Sequence, residues 1–295
     1  MRRLLIIGCG DVAMRAIPLL ARRYRVFALV RNASYCSGLR ALDVVPLLGD
    51  LDDRASLTCM DSLARIAGLA DVVLHFAPPA NFGECDTRTR HLLAALSQGA
   101  LPKQLVYIST SGVYGDCGGA LLSESHPPNP QTARALRRAD AEKQIRIWAK
   151  RNQVKACILR VPGIYAADRL PLNRLQQGVP CIADSEDSYT NHIHADDLAR
   201  IVVAAIRNSS ACRVYHASDD GPMKTGEFLD SVADAFGLQR VPRISRAEAQ
   251  RTLPQTLLSF MNESRRLDNR RMKRELRVKL YYPTVADGLA LIRHC

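Results

Sequence analysis

The sequence predicts an α/β protein, a doubly wound parallel sheet followed by a small C-terminal α/β lobe. Three observations lead there. Short apolar runs rich in Val, Ile and Leu alternate with stretches of helical period up to about residue 160. The runs are apolar throughout instead of alternating, as strands covered on both faces require. The first of them leads straight into Gly8-Cys9-Gly10-Asp11-Val12-Ala13, a Gly-x-Gly-x-x-Ala turn that opens a helix.

Leu4-Leu5-Ile6-Ile7 is the first strand, and the glycine turn hands it over to a helix over 11–22. Val26-Phe27-Ala28-Leu29-Val30 and Val44-Val45-Pro46-Leu47-Leu48 follow as second and third strands, with a helix over 54–67 behind them. Val72-Val73-Leu74-His75-Phe76 is the fourth strand, a helix over 86–98 comes next, and Leu105-Val106-Tyr107-Ile108 is the fifth. A long helix over 131–151, on which Trp148 shares a face with Ile145 and Ala141, precedes the sixth strand, Ala156-Cys157-Ile158-Leu159. Beyond it Pro162, Pro171 and Pro180 punctuate a loop region. A helix over 195–207, a strand Arg213-Val214-Tyr215-His216 and several shorter helices complete the chain. We therefore expect a dinucleotide-binding domain over 1–160 and a mixed C-terminal part over 161–295, whose 195–217 helix and strand are free to return to the first sheet.

Composition narrows the class. Of 295 residues, 47% are hydrophobic and 24% charged, and 41 Lys and Arg against 29 Asp and Glu leave a formal charge of +12. That is a globular chain with too much apolar content for disorder. It lacks the roughly 18 consecutive apolar residues of a membrane span. The run Leu4 to Ile7 stops at Gly8, short of a signal-peptide core, so a cytoplasmic protein is expected. Its nine cysteines are scattered without a Cys-x-x-Cys pair, which argues for reduced thiols and against a structural metal.

The glycine turn carries the first chemistry. Gly8 permits the tight turn, Gly10 lets a pyrophosphate approach the backbone, and Ala13 is small enough for close helix–strand packing. With Asp11 and Val12 these residues form a phosphate site at a helix N-terminus. The second strand ends in Arg31-Asn32, where an acidic residue would hydrogen-bond a ribose 2′-hydroxyl. An Arg there offers a donor fork to a 2′-phosphate, so NADP is expected over NAD. Asp50-Leu51 after the third strand, Phe76-Ala77-Pro78 after the fourth, Ser109 in the fifth and Val161-Pro162 after the sixth complete the expected cofactor contacts. The fifth strand leads into Ser109-Thr110-Ser111-Gly112-Val113-Tyr114, hydroxyls at the carboxyl end of a central strand where open α/β sheets bind ligands.

The ordered set GCGDVA, LVRN, GDL, ISTSGVYGD, LRVPGIY, NHIHADDLA and YHASDDGP resembles the extended branch of the short-chain dehydrogenase/reductase superfamily, the NAD-dependent epimerase/dehydratase group. The resemblance implies a Rossmann domain with a small substrate lobe. It implies a role at the substrate for Thr110, four residues before Tyr114, with Ser111 beside them. It also implies proton transfer by a Tyr assisted by a Lys four residues on, with a Glu four further. Glu142 supplies that Glu, and counting back puts Arg138 at the Lys position and Arg134 at the Tyr position. An arginine does not give up its proton in a protein, so Arg134 cannot act as that Tyr does. Gly163 likewise stands where many sugar-nucleotide enzymes of the group carry Asn.

These observations converge on an atypical NADP-dependent oxidoreductase or epimerase acting on an anionic small molecule, with Arg134, Arg138 and Arg160 available to gather around it. Thr110, Ser111 and Tyr114 are the candidate hydroxyls, and His192 and His194 the imidazoles in a motif region. The alternative is a non-catalytic NADP sensor or partner-binding protein. Residues 262–279 hold eight Lys and Arg against three acids, yet lack interleaved aromatics, so nucleic-acid binding is not expected. Oligomeric state stays open, a homodimer included.

Overall fold

The computed structural model describes residues 1–53 and 66–292. The helix expected over 54–67 therefore falls almost wholly outside the described residues. Seven strands form one sheet: β1 Arg2–Ile7, β2 Tyr24–Val30, β3 Val44–Leu48, β4 Val72–His75, β5 Gln104–Thr110, β6 Lys155–Val161 and β7 Arg213–His216. Their order is β3-β2-β1-β4-β5-β6-β7 and every pair is parallel. The six strands expected before residue 162 all form, and β7 returns to the sheet beside β6, with Val214 opposite Ile158. The order reverses between β1 and β4, which opens a crevice at their carboxyl ends.

The helices that cover this sheet are α1 Asp11–Ala21, α2 Tyr35–Ala41, α3 Thr87–Leu96, α4 Ala133–Asn152 and α5 Ala195–Asn208. The short α2 was not expected from the sequence. On one face Leu4, Ile6, Ala28 and Leu74 meet Ile17 and Leu20 of α1 and Ile201 and Val202 of α5. On the other, Leu5, Ile7, Val73 and Leu105 meet Leu92 and Leu96 of α3 and Ala141 and Ile145 of α4. Burying each such aliphatic side chain contributes about 1.5–3 kcal/mol. Trp148 joins the second face and donates its indole N–H to Ser97 Oγ at 2.8 Å, fastening α4 to the end of α3.

The C-terminal residues build a separate apolar cluster in which Leu229, Val232, Val285 and Leu289 pack on Tyr165, Leu175 and Ile182. One carboxylate ties this part back to α5. Asp197 is fully buried and accepts the backbone N–H groups of Tyr281 and Tyr282 at 2.9 and 2.8 Å and the Arg200 guanidinium at 2.7 Å.

Candidate functional site

The carboxyl ends of β1, β2, β4 and β5 border a cleft of about 660 Å³ lined by Gly8, Gly10, Val12, Ala13, Arg31, Asn32, Leu51, Phe76, Ala77, Pro78 and Arg138 among others. The two glycines serve different ends. Gly8 adopts φ +91°, and a Cβ there would lie 2.7 Å from the Ala77 backbone nitrogen. Gly10 has an ordinary φ of −83°, and nothing lies within 4 Å of where its Cβ would be. The space over Gly10 is thus cleft, at the N-terminus of α1, where the N-cap offers no side chain and the first amides stay available to an anion. Asp11 would repel an anion, but Arg15 holds its carboxylate at 2.7 Å and Arg169 at 3.1 Å. This geometry suits a dinucleotide pyrophosphate.

Beyond the turn, Arg31 projects from the end of β2 with 64% of its side chain exposed. Its guanidinium lies 4.0 Å from Asp50 and 3.9 Å from Asp52. Asp52 is itself gripped by Arg88 of α3, whose Nε donates at 2.7 Å and whose Nη1 donates to the Pro78 carbonyl at 2.9 Å. Hydrogen bonding to Arg88 holds the Asp52 carboxyl below the usual carboxylate range. Arg88 and Tyr35 line this end of the cleft and were not singled out from the sequence. An Arg in the first turn of a helix looks, in one dimension, like any solvated charge.

At the opposite end Arg138 reaches across from α4, donating to the Ile108 carbonyl at 2.6 Å and the Tyr107 hydroxyl at 3.0 Å. Thr110 closes β5, and its Oγ1 accepts the Gly112 N–H at 3.1 Å. Arg134, one turn before Arg138, stacks over the Phe260 ring at 4.0 Å. The neighbouring hydroxyls turn inward. Ser111 is buried, and Ser109 is buried and donates to Glu142 at 2.7 Å. Tyr114 is fully buried, its hydroxyl taken by Arg160 at 2.7 Å and by His216. Arg160 is itself buried and committed to Glu142 at 2.8 and 3.0 Å. Val161 belongs to the core, and neither it nor Pro162 and Asp50 borders the cleft.

A family model described as "NAD dependent epimerase/dehydratase family" matches residues 18–217. The chain belongs to the NAD-dependent epimerase/dehydratase family. Among curated members, dTDP-D-glucose 4,6-dehydratase of Homo sapiens is 21% identical over 71% of this chain and 66% of its own length. Among solved structures, a functionally unknown conserved protein from Silicibacter pomeroyi superposes with a TM-score of 0.80 at 26% identity, covering 100% of this chain and 99% of the other. The dTDP-glucose 4,6-dehydratase DesIV of Streptomyces venezuelae, solved with NAD and TYD bound, reaches 0.78 at 21% identity, covering 99% and 96%.

Within this epimerase/dehydratase fold the two motif imidazoles, His192 and His194, are both buried. His192 is buried, stacks on Phe228 at 4.2 Å between centroids, and burial lowers its pKa to about 4. Asp196 and Asp197 stand in the first turn of α5. His194 is the N-cap, its Nδ1 accepting the Asp196 N–H at 3.2 Å, because Asp197 points inward to the C-terminal backbone. Cys9 borders the cleft as a thiol that burial pushes up to about 12. Within the basic segment Arg265 pairs with Glu263 at 2.9 Å, Arg270 with Asp268 at 2.6 Å, Arg271 with Glu124 at 3.4 Å, and Lys273 with Asp220. Among the described residues no helix is long and apolar enough to cross a membrane, and no group of three or more His, Cys, Asp or Glu is placed to hold a metal.

Proposed function

We propose that this chain is an NADP-dependent oxidoreductase or epimerase that acts on an anionic small molecule through a substituted catalytic helix. The observation that carries it is the open cleft over Gly10, with Arg31 at one end and Arg138 at the other. Gly8, Gly10, Val12 and Ala13 would hold the pyrophosphate, Arg31 and Asn32 the 2′-phosphate, and Leu51, Phe76, Ala77 and Pro78 the walls around the rings. The bound nicotinamide would supply a hydride acceptor or donor. Thr110 Oγ1 already accepts the Gly112 N–H, which leaves its own O–H to donate to a substrate oxygen and polarise it. Arg138, fixed by Ile108 and Tyr107, brings a permanent positive charge to the position where the family pattern has Lys. That charge stabilises an anionic substrate or a developing oxyanion.

Arg31 decides the choice of cofactor. Asp50 and Asp52 draw on its charge without touching it closely, so the guanidinium stays free to turn to a 2′-phosphate. Titration by cofactor fluorescence should find NADPH bound more tightly than NADH, and Arg31→Ala should weaken NADPH about tenfold or more, the value of a charge-assisted contact, with little effect on NADH. Equal affinity for both, or tighter NADH, would overturn the assignment. The sealing of Tyr114 behind Arg160 and His216 favours a second reading, a non-catalytic NADP sensor. Absence of NADPH turnover across carbonyl and hydroxyl substrates, with NADPH binding intact, would support it.

A further inference from the structure

Four guanidiniums converge beyond the reactive end of the cleft. Arg134, Arg137 and Arg138 lie within about one turn of α4, a spacing that places them on neighbouring faces. Arg265 arrives from the C-terminal part and donates to the Gly115 carbonyl at 2.8 Å, just past Thr110. Arg137 is anchored by the Gly83 carbonyl at 2.7 Å, and Arg138 borders the cofactor cleft. The groups whose charges act most on Arg134 are Glu263 and three arginines, Arg265, Arg137 and Arg138. Around Arg134, then, one carboxylate faces three further cations. Glu263 is spent on Arg265 through Oε2, which lies 3.7 Å from where a Cβ on Gly112 would be. Arg137 Nε, Arg265 Nε and Glu263 Oε1 are buried with no partner among the described residues. Buried donors left unpaired on arginines cost free energy that a bound anion would return.

The same place carries exposed aromatic surface. Phe260 is 60% exposed although Arg134 lies over its ring, and Phe82, beside the Gly83 that anchors Arg137, is 67% exposed. Phe260 and Phe82 thus leave aromatic area in solvent beside two arginines of the cluster.

We propose that Arg134, Arg137, Arg138 and Arg265, with Phe260, form the substrate-recognition subsite, and that its ligand is an anionic group carried on an apolar or aromatic body. This rests on the proposed function and narrows its substrate class. Glu263 orients Arg265 within the subsite, and Arg138 joins the subsite to the cofactor cleft.

Calorimetric titration of the NADPH-saturated protein tests it, since the saturated cleft removes the competing phosphate site over Gly10. Phenyl phosphate and benzoate are the two arms, inorganic phosphate and acetate their controls. At least one aryl anion should bind saturably and more tightly than its control. Arg134→Ala should weaken it about tenfold, the loss of one charge-assisted contact. Phe260→Ala should erase the advantage of the aryl anion over its control. Both residues are exposed, so both variants should fold and keep the wild-type affinity for NADPH. Lack of saturable binding in both arms, or an Arg134→Ala variant that binds within a factor of two, would overturn the subsite, and equal binding of control and aryl anions would overturn the apolar half. Failure of NADPH itself to bind would strike the proposed function instead. The same titrations on cofactor-free protein, compared with Arg134→Ala, would then decide the subsite.

Discussion

Gly8 and Gly10 stand two residues apart and look equivalent in sequence, yet the structure asks different things of them. At Gly8 both the positive φ and the 2.7 Å approach to Ala77 exclude a side chain, and that exclusion is a matter of folding. At Gly10 the backbone tolerates any residue and the neighbourhood is empty. Gly8→Ala should therefore lower stability by about 1–3 kcal/mol in urea unfolding, through left-handed strain and overpacking. Gly10→Val should leave unfolding within about 0.5 kcal/mol of wild type, as an unconstrained surface change does, while NADPH binding falls sharply. A Gly10→Val protein that bound NADPH normally would show that the space over Gly10 is not where the pyrophosphate lies. Arg137 and Glu263 illustrate the opposite problem: as letters they are ordinary charges, and only the chain's long-range path puts Glu263 beside Gly112.

The strands were legible because a parallel strand buried on both faces must be continuously apolar, and Leu4–Ile7 and Val72–Leu74 satisfy that with no exposed position among them. Helix α4 was legible in extent but not in meaning. Its inward face holds Ala135, Ala141, Ile145 and Ala149, but also Arg137 and Glu142, which are buried because distant partners wait for them. Glu142 receives Ser109 from β5 and Arg160 from β6, so a polar network crosses the sheet where apolar periodicity would predict a plain seam. That network also explains why Tyr114 and Arg160, candidates by motif, serve the interior. Helix α5 makes the same point through Asp197, an acidic first-turn residue that would ordinarily face solvent and complement the dipole. Here it accepts the N–H groups of Tyr281 and Tyr282. Asp197→Ala would leave two backbone donors and Arg200 without their acceptor, at a cost of about 3–5 kcal/mol, the range for breaking a buried charged contact. Amide exchange at Tyr281 and Tyr282 should accelerate more than exchange in β1. Uniform acceleration across both would mean that Asp197 acts on global stability alone.

At the scale of the whole molecule, the excess of +12 is carried by arginines and lysines, which stay protonated at neutral pH, so stability should depend on pH mainly through the interior. Burial lowers His75 to about 3 and His192 and His216 to about 4. A histidine whose folded pKa lies below its unfolded value of about 6.5 binds fewer protons when folded, so stability is lost as pH falls from there toward 4. Asp219 has the opposite sign. Burial, followed by its neighbours Asp220 and Asp197, raises it to about 8, while the Gly221 N–H on Oδ1 at 3.2 Å opposes the shift and Oδ2 has no partner among the described residues. Its folded pKa exceeds the unfolded value, so its contribution is fully present below about pH 4 and is lost as pH rises toward 8. Between pH 6.5 and 8 the buried histidines are neutral in the folded state while those of the unfolded chain lose their last protons, which adds stability as pH rises, and most thiols have yet to ionise, so Asp219 is the group that opposes that gain. Urea unfolding should show Asp219→Asn, which cannot ionise, gaining about 2 kcal/mol relative to wild type as pH rises across that window. Wild-type and Asp219→Asn profiles that run parallel would mean that water reaches Oδ2 and keeps Asp219 ionised in the folded protein.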